Sequence, residues 1–567
     1  MNAGMDSDSP DNDQNNTIAM DHGLPVISLY NLSGNKILKR LTNYENPLKV
    51  VQSLSTEDFY WLLKKIGEED YTPVLKLASY EQWQFLMDIE IWDRDTLNTE
   101  AIFTWFDRLK ESDMVRLVKW FFSEGKTLAE IIFHKNVEVV QRDTPDEVIE
   151  LSEDFFTLDS VFYIRVVHPA HRQTLEELIR LMYGIDSNRA RIILEEIAAL
   201  LTSEVEEELY RMRNVRLAEH GFLPFEESSA VYSPLDSESL AADEISPVSH
   251  DFATEEIIDI VPIIPLYITE KENIFSQSLS GLTDIALLDR VRLEFAGLCN
   301  RIISADGLVG IDLALLTEKC RKGAGCVNIA IENLCGHDRE KALLLIENNP
   351  IESLFRVGYG LIITLKQETQ SWRDKSWFAA KGLDEKFWGE RWGMTLAGLL
   401  KVRPVYYTGH DQEEYRDFET LSELQNSHMT LRHIKAVDEL LRALDILHST
   451  DNALIHEETL TFYALIFTYW ARCTLQIDPG FFRISLDSAK RLFAYLRTRD
   501  RDAPYQMPGF DELFIRNLSE HMTVSDRKIR SDLSEALSVI WKEFRSEYEQ
   551  VAVDSIDEKY SPFILIG

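Results

Sequence analysis

TEDFYWLLKKIG, EEDYTPVLKLAS and YEQWQFLMDIEI are three consecutive twelve-residue blocks, residues 56–67, 68–79 and 80–91. Each has an acid at its second position (Glu57, Glu69, Glu81) and an aromatic at its fourth (Phe59, Tyr71, Trp83). An apolar pair follows at the seventh and eighth: Leu62 and Leu63, Val74 and Leu75, Leu86 and Met87. The aromatic and the pair stand three and four residues apart, which places them on one helical face. The early acids suit the positive end of a helix dipole. Ser55 or Thr56 and Ser79 are candidate N-caps, Gly67 is a candidate C-cap, and Pro73 fits only near a helix start. Each block therefore reads as one short helix and a tight turn. Such helices are marginal alone and must bury their aromatics against one another, the logic of a repeat array with an outer surface left for recognition. Residues 99–109 and 112–122 read as two more helices.

Working outward, residues 1–23 are rich in Asp, Asn, Ser and Gly and read as a disordered acidic tail. A short-helix repeat domain is expected over 24–225. Inside it, VIEL, FFTL and VFYIRVV between 143 and 167 are β-branched or aromatic runs, so minor β-structure is expected near 145–168. Helix returns at 174–182 and 188–219. From 217 to 270 there is no Lys or Arg and there are twelve acids, so 226–261 reads as an acidic linker. Residues 262–567 form a larger helical domain, with apolar spacing of three and four at 283–303, 343–347, 430–448, 457–476, 485–498 and 526–549. Its apolar end, SPFILIG, is expected to dock as a strand or plug. The fold class is all-α, mainly helical: a superhelical short-helix repeat domain followed by a larger helical one.

The net charge of −37 opposes binding to phosphate backbones and anionic lipid, and no Lys/Arg run offsets it. A basic protein partner fits better. No segment offers the roughly 20 apolar residues that a membrane span needs. The first 21 residues hold five Asp and no basic residue, unlike a secretory leader. Five cysteines, an odd number, then read as reduced thiols in a cytoplasmic protein.

The acid-opened short helices of 56–91 resemble the superhelical cytosolic domain of MgtE-type magnesium transporters. That resemblance implies the array and not transport, because the transporter's membrane helices are absent. YNLSGNKILKRL (30–41), PVLKLASYEQWQFLMDIEIWDRD (73–95) and LFRVGYG (354–360) resemble an uncharacterised, mostly deltaproteobacterial family of unknown function. That likeness spans most of the chain and implies no activity.

No GxxxxGK[ST], HExxH, CxxC or strand-plus-GxGxxG motif occurs, which argues against an enzyme. No cofactor is expected. Cys320, Cys326, Cys335 and His337 are dense enough in soft ligands for zinc. Their spacings are wider than paired zinc ligands use, so buried cysteines on helices are the expectation. Residues 371–409 interleave tryptophans with Lys and Arg, the residue types of binding hot spots. Arg356, Trp377, Trp388, Arg391, Trp392, Arg403 and Tyr406 are the candidate ligand or partner contacts. The competing expectation is a tryptophan core with snorkelling cations. Gly358 and Gly360, in RVGYG, allow close backbone approach, by another helix or by a ligand.

Overall fold

The computed structural model describes the chain outside residues 1–23, 143–150, 200–201, 241–260, 270–272, 281, 308–311, 410–412, 449–451, 456, 458, 498–502, 522–526 and 559–560. The expected tail, most of the linker and Val148–Glu150 of VIEL lie outside the described residues. The chain is mainly all-α, with only small antiparallel sheets among the helices. Two compact units form. One takes the described residues of Met1–Val231, Ser246–Glu272 and Leu279–Cys320; the other takes those of Tyr232–Ile245, Asn273–Ser278 and Arg321–Gly567.

In the first unit, Ser55 Oγ accepts the Asp58 N–H at 3.1 Å and opens helix Thr56–Ile66, which stops at Gly67 with φ +98°. Ser79 and Gln82 form a capping box that opens helix Tyr80–Glu90. The Gln82 amide also donates to the Val51 and Leu54 carbonyls, at 2.8 and 3.0 Å. Between them Thr72–Leu75 is a single turn. The three blocks are helical as their spacing predicts, but they are not equivalent.

The expectation of a free outer surface fails at helix Thr56–Ile66. Glu57, Asp58 and the whole run from Phe59 to Leu63 are buried, so the helix is covered around its circumference. Helices Gly34–Thr42 and Tyr80–Glu90 pack on it. A further segment closes over its first turn, where Asp58 accepts the N–H groups of Ile263 and Ile264 at 2.9 Å. That partner lies about two hundred residues along the chain, so the local pattern carries no sign of it.

Residues 99–121 are two helices joined at Asp113, whose φ of −159° and ψ of 90° break the ladder. Its Oδ1 then accepts the Arg116 N–H at 3.0 Å and starts the second helix. The three-stranded sheet has Phe162–Val166 between Val137–Gln141 and Phe156–Thr157, all antiparallel. Val137–Gln141 is an addition to the sequence expectation. It runs straight on from helix Lys126–Asn136 and uses the β-branched Val137, Val139 and Val140.

The second unit is built on the helices Ile351–Arg373, Gly389–Leu400, Leu421–Leu447, Phe462–Thr474 and Arg527–Tyr548. At its centre the Phe467 ring stacks on Phe514 and Phe544, with centroids 4.7 and 4.2 Å away. The C-terminal SPFILIG docks here. Ile566 makes a parallel bridge to Ile484, and Phe563 and Ile564 are buried in the same core. Among the described residues no helix is long and apolar enough to cross a membrane.

Candidate functional site

Three of the four tryptophans of 371–409 lie in the core of the second unit, and the fourth, Trp372, is partly buried against it. Trp377, Trp388 and Trp392 are at most 5% exposed. Trp392 stacks on Phe462 with centroids 4.9 Å apart, and Trp388 packs edge-on against Phe387. The short helix Trp377–Ala380 is clipped to helix Leu421–Leu447 by Asp438. This wholly buried carboxylate accepts the N–H groups of Trp377 and Phe378 at 3.0 and 2.9 Å. Burial pushes the Asp438 carboxyl up to about 6 against the opposing pull of those two N–H groups. Trp377 also donates its indole N–H to Asp445 at 3.0 Å.

The arginines separate. Arg356 donates to the Ser233 carbonyl at 2.8 Å, and the Arg403 guanidinium lies 4.2 Å from the centroid of the Tyr232 ring. Both hold the 232–235 segment. Arg391 does neither. It is exposed and has no ion-pair partner among the described residues.

Arg391 lines a cleft of about 530 Å³ within the second unit. Helix Gly389–Leu400 contributes Glu390, Arg391 and Thr395. The two-stranded hairpin of Tyr406–Tyr407 and Tyr415–Arg416 contributes Tyr406 and Tyr407. Helix Leu421–Leu447 turns Asn426, Ser427 and Thr430 toward it, at the i, i+1 and i+4 spacing of one helical face. Tyr463 and Glu543 come from two later helices. Tyr463 donates its hydroxyl to Glu543, and the Glu390 charge lies near enough to Tyr407 to act on its phenol. Both phenols are held above their ordinary pKa, by burial first and then by their glutamates, so they remain donors. Among the described residues the cleft thus carries one guanidinium without an ion-pair partner, one tyrosine–glutamate pair, a second glutamate and several hydroxyls.

A second cleft, of about 460 Å³, lies among Glu368, His428, Arg432, Lys435 and Asp532. Its cations are already paired, Lys435 with Glu368 at 2.6 Å and Arg432 with Asp532, and His428 lies 3.3 Å from Glu368. It offers less to a charged ligand than the cleft around Arg391.

The cysteines are dispersed. Cys299 and Cys320 are buried in the first unit, and burial, with Cys320 beside it, raises the Cys299 thiol well above its ordinary value. Cys326 is buried in the second unit, while Cys335 is partly exposed. Among the described residues no three His, Cys, Asp or Glu side chains converge as a metal site would require, and neither Cys335 nor His337 joins such a group.

Of the sequence candidates, Arg391 and Tyr406 meet in the cleft, the tryptophans are core, and Arg356 and Arg403 secure another segment. Tyr407, Tyr463 and Glu543 were not among the candidates. They come from three separate elements, and only the Tyr-Tyr pair beside Arg403 hinted at one of them. No curated protein and no solved structure matches the chain. The model of a family of unknown function, DUF6178, matches residues 26–567, nearly the whole chain, and the chain belongs to that family.

Proposed function

We propose that this chain is a ligand-binding protein, not an enzyme, and that its second unit takes a small polar solute in the cleft around Arg391. The observation that carries the reading is the lone guanidinium. In a protein of net charge −37 a cation has carboxylates to choose from, and Arg391 is paired with none among the described residues. A guanidinium in a cleft that hydroxyls also line offers fork-shaped donors to an incoming anionic group. The volume, about 530 Å³, falls within the range of small-molecule sites. Among the described residues the cleft's lining includes no Cys, His or Lys that would activate a nucleophile for acyl or phosphoryl transfer.

The test is a thermal-shift panel of polar metabolites on the full chain and on Arg391→Ala. A solute at a hundred times its dissociation constant stabilises the folded state by about 2.7 kcal/mol. At least one solute should raise the midpoint of the native chain and leave the variant unmoved. A panel in which every solute acts equally on both would refute the cleft.

A scaffold function with a basic protein partner in the cytosol is the second reading, favoured by the net charge of −37. A superhelical array like that of the MgtE-type domain would serve it. The burial of helix Thr56–Ile66 takes away the face on which that reading first rested. Salt-sensitive capture of a basic protein by the native chain would support it.

A further inference from the structure

The charges around the cleft go further than its volume. Resting on the ligand-binding reading, we propose that the solute is a basic α-amino acid, with its α-carboxylate on Arg391 and its two cationic nitrogens on Glu390 and Glu543. Among the described residues the lining supplies one positive and two negative side chains. A simple anion would meet Arg391 but be repelled by two carboxylates. A simple cation would meet the carboxylates but be repelled by Arg391. A neutral polyol would remove water from all three and leave their charges unanswered, which is costly. A molecule with one carboxylate and two cationic groups answers each of them. Its single net positive charge also suits the field of this acidic chain.

The carboxylates fit the same solute. Glu543 accepts from the Tyr463 phenol, while Glu390 is exposed at the cleft. An ionised carboxylate has about four lone-pair sites, so capacity remains at both for an ammonium or guanidinium donor. The Tyr463 phenol holds the Glu543 carboxylate in place before the ligand arrives, which lowers the ordering cost on binding. Asn426, Ser427 and Thr430 offer further acceptors and donors in the lining.

The experiment is isothermal titration calorimetry of the full chain with L-arginine, L-lysine, agmatine and L-citrulline. Agmatine lacks the carboxylate; citrulline keeps the shape of arginine without its side-chain charge. Arginine or lysine should bind at least tenfold more tightly than either control. In Arg391→Ala the preference for arginine over agmatine should vanish, and in Glu543→Gln the preference over citrulline should shrink. Arg391 is exposed, and Glu390→Gln provides a second variant should Glu543→Gln unfold. Equal binding of all four, or none with any, overturns the proposal. If a different solute in the metabolite panel stabilises the native chain and not Arg391→Ala, the amino-acid class falls and the ligand cleft stands. If no solute separates the two proteins, both fall.

Discussion

Asp58 is a carboxylate at the centre of the first unit, fully buried, with Glu57 as its neighbour and the Ile263 and Ile264 N–H groups as its partners. Burial pushes its pKa up to about 7, and the Glu57 charge adds to that, while the two backbone donors and Ser55 oppose it. The folded chain therefore holds this proton more tightly than the unfolded chain, whose value is about 4. The stabilisation from this group is complete below about pH 4 and is lost as pH rises through about 7. His220 works in the same sense. Burial lowers its pKa, but the hydrogen bond and charge of Glu57 at 3.3 Å outweigh that and leave it raised. Its contribution too disappears as pH rises past its folded value. Asp58→Asn removes the ionisable group and keeps one acceptor. Its thermal midpoint relative to the native chain should improve from pH 5 to about pH 7 and level off above that; a gap independent of pH would contradict this account.

Close approach and capping determine how the elements join. A Cβ placed on Gly358 would sit 1.9 Å from the Cys326 carbonyl oxygen, and the obstacle is backbone that cannot swing away. The helix Ile351–Arg373 therefore crosses its neighbour at a glycine, and of the two uses of RVGYG expected from sequence, approach by another helix is the one Gly358 serves. Gly358→Ala should cost about 1–3 kcal/mol or more through overpacking, read as a lowered denaturant midpoint with the slope unchanged. The Asp438 clip depends on charge and not on shape. Asp438→Ala would leave two buried N–H groups without acceptors, at about 1–3 kcal/mol for each unsatisfied group. Asp438→Asn keeps one acceptor and should lose less. An alanine variant as stable as the native chain would show that the 377–380 turn is held by its tryptophan packing alone.

At the scale of the whole molecule, the C-terminal segment and the net charge make opposite demands. Phe563, Ile564 and Ile566 fill the core that Phe467, Phe514 and Phe544 build. Removing residues 563–567 should open a cavity and lower the melting temperature of the second unit by several degrees, since buried aromatic and aliphatic truncations cost about 2–5 kcal/mol each. A net charge of −37 repels itself. Raising salt from about 0.01 to 0.15 M shortens the screening length from roughly 30 to 8 Å and should raise the melting temperature of the full chain. No response to salt would mean that the paired carboxylates already cancel the repulsion.

What sequence alone determined is local and periodic. Spacings of three and four placed the helices at Phe59, Trp83 and Leu109, Ser55 and Ser79 started two of them, and the alternating runs near 155–167 marked two of three strands. These signals act over one or two turns, where neighbouring residues share one backbone ladder. Only the tertiary structure decided which helical faces stay open. Asp58 meets Ile263 across about two hundred residues, and that contact covers a helix that reads as half-exposed. It likewise decided that Trp377, Trp388 and Trp392 are core while Arg391 is not. The cleft joins side chains from elements more than a hundred residues apart, and nothing in the spacing of Arg391, Tyr463 and Glu543 records that meeting. A local pattern reports which residues must be buried, whereas what buries them is set by the packing of the whole chain.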